Sequence, residues 1–158
     1  MTDSTFNQDD QHWMGEALKL ARQAESEGEV PVGAILVRDG VALGGGWNRN
    51  IASHDASAHA EISALREGGM AAKNHRLPGC TLYVTLEPCS MCVGAMIHAR
   101  LERLVFGASD PKTGAAGGYF DLLGDHKHNH KVLVEGSCLE RECSELLKAF
   151  FRAKRTVI

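Results

Sequence analysis

The sequence predicts a three-layer α/β protein in which helices cover both faces of one mixed five-stranded sheet. Short apolar runs of strand length alternate with longer segments in which apolar residues recur at helical spacing. Two of the runs flank Asp39-Gly40, a dipeptide typical of the tight turn in an antiparallel hairpin. Two later strand–helix–strand passages are typical of parallel neighbours. The predicted sheet therefore contains both strand orientations.

The first predicted helix begins with Asp10 as its capping residue and ends at Gly28. Apolar residues recur along one face of this helix, at Met14, Ala17, Leu18, Ala21 and Ala24. The two hairpin strands follow as residues 30–37 and 41–47, on either side of the Asp-Gly turn. The amino-terminal part is therefore predicted to be a helix followed by a hairpin.

A polar loop then leads into a second helix, which begins near His59 and is predicted to fade at Gly68 and Gly69. Residues 81–86, TLYVTL, are rich in the residue types that favour strands and form the third one. A third helix covers residues 89–99, directly after a proline suited to a helix start. In α/β layers, functional sites gather where strands end and helices begin.

The last third of the chain is predicted to complete the sheet. Residues 104–108 form the fourth strand, and a short helical segment is expected at residues 119–123. A fifth strand covers residues 131–136, and a final helix covers residues 139–155. No repeat or linker interrupts this order, so one domain is expected to span residues 1–158.

Composition and charge limit the classes of function. The 44% hydrophobic and 23% charged content is ordinary for a soluble protein, and no apolar run approaches the ~20 residues needed to cross a bilayer. The first ten residues lack the features of a signal peptide. Five cysteines form an odd, irregular set, which favours a reducing compartment over a disulfide framework. A cytoplasmic protein without a membrane partner is expected.

The net charge of −3 gives no general attraction to nucleic acid, so RNA would have to bind through a local patch. Residues 148–155, KAFFRAKR, are such a patch, with four basic residues, two phenylalanines and no acid. This segment could contact phosphates and bases, or it could be the solvated end of an amphipathic helix. One ring of the Phe150-Phe151 pair is expected in the core.

The stretch EPCSMC contains Cys89 and Cys92, three residues apart at the start of the third predicted helix. A redox dithiol is disfavoured, because such pairs normally follow the first strand of a thioredoxin-like order. A closed four-cysteine zinc site is also disfavoured, because Cys80, Cys138 and Cys143 provide no second CxxC pair. The remaining interpretation is a metal site that takes a histidine as its third ligand.

His59 is the best candidate among eight histidines, because it also begins a helix and is followed by Glu61. The alternating histidines of HKHNH, residues 126–130, are better explained as a solvated loop. Helix dipoles at two facing N-termini would favour thiolates and a bound cation. Three protein ligands with one open position are typical of a catalytic zinc. Glu61 could be a fourth ligand, but a carboxylate that moves a proton fits such a site better.

The motif H-A-E followed by P-C-S-M-C resembles the signature of the zinc-dependent cytidine/adenosine deaminase superfamily. The likeness extends over nearly the whole chain. The segments EVPVGAILV, GWNRN, DASAHAEI, TLYVTLEPCSMCVGAMIHAR, VFGASDPKTGAAG and FFRAKR are similar to those of bacterial tRNA-specific adenosine deaminases. The resemblance implies a cytidine deaminase-like fold and one Zn²⁺ per chain, held by His59, Cys89 and Cys92. It also implies conversion of adenosine to inosine at the wobble position of a tRNA anticodon stem-loop, with Glu61 as the proton shuttle.

The same resemblance implies the substrate contacts. The side chain of Asn48 and the backbone N–H of Ala60 would contact a flipped nucleotide, although Asn48 could also be a simple turn residue. Asp110 would contact the nucleotide before the target. Phe151 and Arg152 would hold the splayed anticodon loop, because readers of RNA loops stack unpaired bases on aromatic rings. A homodimer is implied as well.

Two other functions remain open on the sequence. The first is a deaminase of free bases, nucleosides or nucleotides, of the guanine or cytosine type, because the zinc motif does not distinguish it. The second is a non-catalytic, zinc-stabilised RNA-binding module. Such a module would not require Glu61, so the effect of removing that carboxylate would distinguish the module from an enzyme.

Overall fold

The computed structural model describes residues 6–156 and confirms the predicted α/β architecture. The elements found in that range are α1 (Gln8–Ser26), β1 (Gly33–Arg38), β2 (Val41–Trp47), α2 (Ala60–Ala72), β3 (Thr81–Leu86), α3 (Ser90–His98), β4 (Arg103–Ala108), β5 (Leu133–Glu135) and α4 (Glu140–Thr156). No helix among these residues is long and apolar enough to span a membrane.

The five strands form one mixed sheet in the order β2-β1-β3-β4-β5. Strand β1 is antiparallel to both β2 and β3, whereas β3, β4 and β5 run parallel. The β1–β2 turn has positive φ angles at Asp39 (52°) and Gly40 (74°), as the two-residue hairpin predicted for this dipeptide requires. The prediction of parallel neighbours was right for β3 and β4 but wrong for β2 and β3, because β1 lies between them.

Helices pack on both faces of the sheet, so the predicted three layers are confirmed. Side chains that alternate along the strands point to opposite faces. One face packs against α2 and α3 through strand residues Ala34, Leu36, Leu82, Val84, Leu104 and Phe106. The other face packs against α1 and α4 through Ile35, Val37, Tyr83, Val105 and Ala108. Each face of the sheet therefore has its own buried core.

Helix α1 begins earlier than predicted, and Asp10 is not its cap. Asn7 caps the helix, because its Oδ1 accepts the backbone N–H of Asp10 at 2.8 Å. The buried Asp10 carboxylate instead forms two bonds with the Arg103 guanidinium, at 2.8 and 2.9 Å, and accepts the Tyr83 hydroxyl at 2.7 Å. The bonds from Arg103 lower the pKa of Asp10. Asp10 therefore ties α1 to the sheet.

Helix α2 continues through Gly68 and Gly69 to Ala72, so the predicted end at the glycines was wrong. A Cβ atom on Gly68 would lie 2.3 Å from a methyl carbon of Leu36, so glycine lets the helix pack closely on that side chain of β1. Strand β2 contributes a second close approach, because a Cβ atom on Gly46 would lie 2.6 Å from the α2 backbone. These contacts let α2 lie directly on the hairpin strands.

The connection between β4 and β5 differs from the prediction. Residues 119–123 form turns with one isolated bridge between Ala116 and Asp121, and no helix is present in this described segment. Strand β5 is limited to three residues. Strands β4 and β5 are nevertheless parallel neighbours, and a long loop joins the end of β4 to the start of β5.

Candidate active site

The predicted site residues gather at one edge of the sheet. Strands β2, β3 and β4 run in the same direction, because β2 and β3 are both antiparallel to β1 and β4 is parallel to β3. Their carboxyl ends therefore lie at the same edge, which is where ligands bind in α/β sheets. Asn48 directly follows β2, Glu87 directly follows β3, and Ser109 directly follows β4. Helices α2 and α3 begin close to this edge.

His59, Cys89 and Cys92 meet in a small triangle of potential metal ligands. His59 and Cys89 occupy the N-cap positions of α2 and α3, and neither side chain caps its own helix. Both sulfur atoms lie 3.5 Å from Nδ1 of His59, and the two sulfur atoms are 3.8 Å apart. Facing helix starts therefore bring the three side chains together, as the sequence predicts. Their role as ligands stays a prediction.

The dimensions of this triangle fit zinc. Tetrahedral zinc with bonds of about 2.3 Å to sulfur and 2.0–2.1 Å to nitrogen separates two sulfur ligands by about 3.8 Å and sulfur from nitrogen by about 3.5 Å. The three distances in the protein match these values. One nitrogen at the start of α2, one sulfur at the start of α3 and a second, buried sulfur form a donor set that zinc prefers. Three donors leave the fourth tetrahedral position open.

The electrostatics of the triangle favour a thiolate. The hydrogen bond with Cys92 lowers the pKa of Cys89 to about 4, and His59 acts in the same direction. The pKa of Cys92 is raised by its hydrogen bond with Cys89 and by burial. The hydrogen bond with Cys89 also raises the pKa of His59. A divalent metal would bind to this set by displacing the protons of its ligands.

Glu61 lies in the first turn of α2 and is 4% exposed. Burial raises its pKa to about 7, and the charges of His59 and Cys89 also influence it, so the carboxyl group lies close to the triangle. Among the described residues, the cluster of groups with metal-ligand spacing consists of His59, Cys89 and Cys92 and does not include Glu61. The carboxyl group is therefore beside the candidate metal position and is not one of the three clustered donors.

Asn48 links the end of β2 to the start of α2. Its Oδ1 accepts the backbone N–H of Ala60 at 2.9 Å, so the side chain satisfies a free donor at the helix start. Asn48 is 8% exposed, and its Nδ2 group has no hydrogen-bond partner within residues 6–156. The structure thus brings together two residues predicted to contact the substrate, with the N–H of Ala60 already engaged by Asn48.

Asp110, Phe151 and Arg152 line one groove of about 890 Å³ at the same sheet edge. Leu86 and Ala108, the last residues of β3 and β4, form part of its floor. Its basic lining residues are Lys112, Lys148, Arg152, Lys154 and Arg155. The groove therefore combines the carboxyl ends of two central strands with the basic face of α4.

Within this groove, the Asp110 side chain is engaged by its own turn, whereas the Phe151 ring is exposed. The Asp110 carboxylate caps its own turn, because it accepts the N–H groups of Lys112 and Thr113 at 3.0 and 3.1 Å and the Thr113 hydroxyl at 2.8 Å. Phe151 is 44% exposed. The ring of Phe150 is half-buried and contacts Phe151 at a centroid distance of 5.3 Å. The expectation that one phenylalanine is in the core was wrong for these described residues.

The histidine-rich loop forms no metal cluster among residues 6–156. Nε2 of His128 lies 2.8 Å from the carbonyl oxygen of Leu122, and Nε2 of His130 lies 2.5 Å from that of Leu101. Backbone contacts of this kind hold the loop in place. Residues 126–130 form turns and bends, as the interpretation of a loop predicts.

The sequence interpretation missed two buried carboxylates at this edge. Glu29 accepts the N–H groups of Ile51 and Ala52 at 3.1 and 2.8 Å, in the loop that follows Asn48. Glu87, directly before the proline of the cysteine motif, accepts N–H groups of the loop that follows β4. The signal for Glu87 was present in the motif itself, because a carboxylate at a strand end beside candidate metal ligands needs a hydrogen-bond partner when it is buried.

Comparison with known proteins agrees with this geometry. Residues 7–108 match the model of the cytidine and deoxycytidylate deaminase zinc-binding region, and this span contains the triangle and Glu61. Over 147 residues the chain is 52% identical to the tRNA-specific adenosine deaminase of Haemophilus influenzae, which covers 92% of this chain and 85% of that protein. The chain belongs to the tRNA-specific adenosine deaminases.

Solved structures place this deaminase in the same fold. One, from work on A-to-I editing by tRNA:A34 deaminases at the wobble position of transfer RNA, has a TM-score of 0.83 and 43% identity, and covers 86% of this chain and 99% of its own. A guanine deaminase from Nitrosomonas europaea has a TM-score of 0.74 and 26% identity, with coverages of 89% and 83%. The predicted cytidine deaminase-like fold is confirmed, and a base deaminase shares it.

Proposed function

We propose that this deaminase converts adenosine to inosine at the wobble position of a tRNA anticodon loop, with one Zn²⁺ per chain held by His59, Cys89 and Cys92. The observation that carries the proposal is the zinc-sized triangle with a spare buried carboxylate beside it, in a chain that is 52% identical to a tRNA-specific adenosine deaminase. The basic groove at the same sheet edge supports a polynucleotide substrate.

The chemistry requires an activated water and a group that carries protons. When bound, zinc supplies Lewis acidity that makes water a nucleophile at neutral pH. Glu61 accepts a proton from the attacking water, delivers it to adenine N1, and later protonates the departing amine. Water and adenosine thus become inosine and ammonia. Burial raises the pKa of Glu61, which favours proton uptake, and a bound cation would oppose that shift.

The substrate contacts are proposed for the residues at the sheet edge. Asn48 presents a buried amide that can donate to the flipped nucleotide, and it orients the N–H of Ala60 at the same point. For Ala60 to contact the nucleotide, its N–H has to be shared with Asn48. Asp110 would contact the preceding nucleotide, and the exposed Phe151 ring would stack on an unpaired base beside Arg152.

The proposed function is tested by offering the zinc-loaded protein four substrates: an anticodon stem-loop with adenosine at the wobble position, free adenosine, guanine and cytosine. Inosine should form on the stem-loop, with a kcat/KM at least about 100-fold above that of the free compounds, because a groove that contacts phosphates adds binding energy only for RNA. Comparable values for a free base would favour the rival base deaminase. No product with any substrate would favour the binding module.

The basic face of α4 gives a second prediction. Reversing charge in the double variant Arg152→Glu/Lys154→Glu should weaken binding to the stem-loop by at least about 10-fold at low salt and make the binding less salt-dependent. Each lost phosphate contact should reduce the slope of log K against log salt by about 0.7–0.9. Binding is measured by fluorescence anisotropy across a salt series.

The matched control is Lys19→Glu/Arg76→Glu, which makes the same charge change at two exposed residues outside the groove. This control should keep the slope of the unchanged protein. If both double variants shift binding equally, the effect belongs to net charge, and the proposed role of α4 is wrong.

A homodimer in the cytoplasm completes the proposal. Support for a second copy comes from a groove of about 920 Å³ between α2 and α3, where Ile62, Leu65 and Ala95 lie beside the strongly exposed Met70. Support for the cytoplasm comes from the odd and irregular set of five cysteines, which fits a reducing compartment.

A further inference from the structure

Glu87 occupies the junction between the candidate metal centre and the substrate groove. Its carboxylate is 3% exposed and accepts three backbone N–H groups from residues 110–118, the segment named here the substrate loop. Oε1 accepts the N–H of Asp110 at 2.9 Å, and Oε2 accepts those of Ala116 and Gly118 at 3.0 and 2.7 Å. One buried carboxylate thus holds both ends of the substrate loop.

The loop is shaped to enclose this carboxylate. A Cβ atom on Gly114 would lie 2.4 Å from the carboxyl carbon of Glu87, and one on Gly118 would lie 2.4 Å from Oε1. Only glycine lets the backbone approach so closely at these two positions. The two segments are also joined by their backbones, because Ala115 donates its N–H to the carbonyl oxygen of Pro88 at 2.8 Å. Glu87 and the loop therefore form one packed unit.

This unit connects the two parts of the proposed site. Glu87 lies two residues before Cys89, the N-cap of α3 and a proposed zinc ligand. Its Oε1 holds the backbone of Asp110, the residue proposed to contact the nucleotide before the target. A carboxylate is a pure acceptor, so three converging N–H donors suit it and would not suit an amide, whose NH₂ group would face at least one of them.

We propose that Glu87 is a positioning residue for RNA recognition, which fixes the substrate loop, and with it Asp110, relative to the metal centre. The inference rests on the proposed function and deepens it. Glu87 is buried, and it acts through the place it gives to the Asp110 backbone. Its loss should therefore affect the use of the RNA substrate more than the assembly of the zinc site.

The test is Glu87→Gln, which keeps the size of the side chain and replaces one acceptor oxygen with a donor. Zinc content should stay near one per chain. For the stem-loop, kcat/KM should fall by about 10–100-fold, since hydrogen bonds to charged groups have effects of that size, and most of the change should be in KM. An unchanged KM with a lowered kcat, or lost zinc, would overturn the inference.

A double-mutant cycle separates positioning from a general structural role. If Glu87 acts through Asp110, then Glu87→Gln should add little to the loss of kcat/KM caused by Asp110→Ala. The matched control is Glu29→Gln, which changes an equally buried carboxylate that holds residues 51 and 52 and should be additive with Asp110→Ala. Additive losses for Glu87→Gln as well would contradict the proposal.

A second variant keeps the test independent of how Glu87→Gln folds. Gly118→Ala places a methyl group against both the Glu87 carboxylate and the carbonyl oxygen of Asp110, so it disturbs the same contact from the loop side, and it should show the same KM effect and the same non-additivity with Asp110→Ala. If the unchanged protein forms no inosine on the stem-loop, the proposed function has failed. If the unchanged protein is active and both variants keep its KM, only the role of Glu87 has failed.

Discussion

Replacing Glu61 with alanine should lower the single-turnover rate of inosine formation on an anticodon stem-loop by about 10⁴-fold or more. One positioned acid–base group typically contributes about 10²–10⁴-fold, and Glu61 is proposed to serve several proton transfers in the same reaction. The zinc site should still assemble, because the three clustered donors do not include this carboxylate. Stem-loop affinity should change far less, because the basic groove is lined by other residues.

The measurement combines rapid-quench kinetics with zinc analysis and RNA binding on the same preparation. Glu61→Gln is the isosteric companion, and it should be impaired to a similar degree because an amide cannot carry the proton. Glu67→Ala is the matched control on the same helix, where the carboxylate contacts the N–H of Gly45 and not the metal cluster. Near-normal turnover with full zinc would disprove the shuttle role. Loss of zinc would show instead that Glu61 is a ligand or a structural support.

Replacing Cys89 with alanine should remove most of the zinc and with it the activity. Metal analysis is expected to find roughly a tenth of the normal zinc content or less, because zinc binding depends on the deprotonated thiol and is coupled to folding. The melting temperature should also fall, since two helix starts would lose the ion that joins them. Zinc content by mass spectrometry and a thermal melt check both effects.

Cys138→Ala and Cys143→Ala are the controls for this experiment. Both thiols are buried in the core between α1, α4 and the sheet, so these variants can lose stability through packing alone and should keep their zinc. Full zinc occupancy in Cys89→Ala would remove Cys89 from the ligand set. Zinc loss in all three variants would show that the metal analysis reports unfolding and not ligation.

Much of the fold could be predicted from local patterns. The Asp39-Gly40 turn, the strand at residues 81–86 and the third helix depend on turn geometry, side-chain alternation and helical spacing, which the sequence carries within a few residues. The candidate zinc site was predictable for a similar reason. Helices α2 and α3 start at His59 and Cys89, so both motifs place their metal-binding atoms at a helix start. Short motifs therefore indicate which side chains can meet.

Tertiary structure decided the features that depend on distant partners. Strand β1 lies between β2 and β3, an order set by backbone pairing across the whole sheet. Asp10 has the local features of a helix cap, but Arg103, far along the chain, supplies a buried partner that a cap position does not offer. Gly68 has the local features of a helix end, but it lies within α2, where a Cβ atom would meet the Leu36 side chain at 2.3 Å.

The two buried carboxylates show the same division between sequence and tertiary structure. By itself, the sequence determined the α/β class, the alternation of its elements and the set of residues that could hold zinc. It did not determine that Glu29 and Glu87 each hold a loop beside the metal centre, because their backbone donors lie more than 20 residues away along the chain. Such bonds form only once the strands have paired. A buried carboxylate then needs hydrogen-bond donors, and the loop packed against it supplies backbone N–H groups.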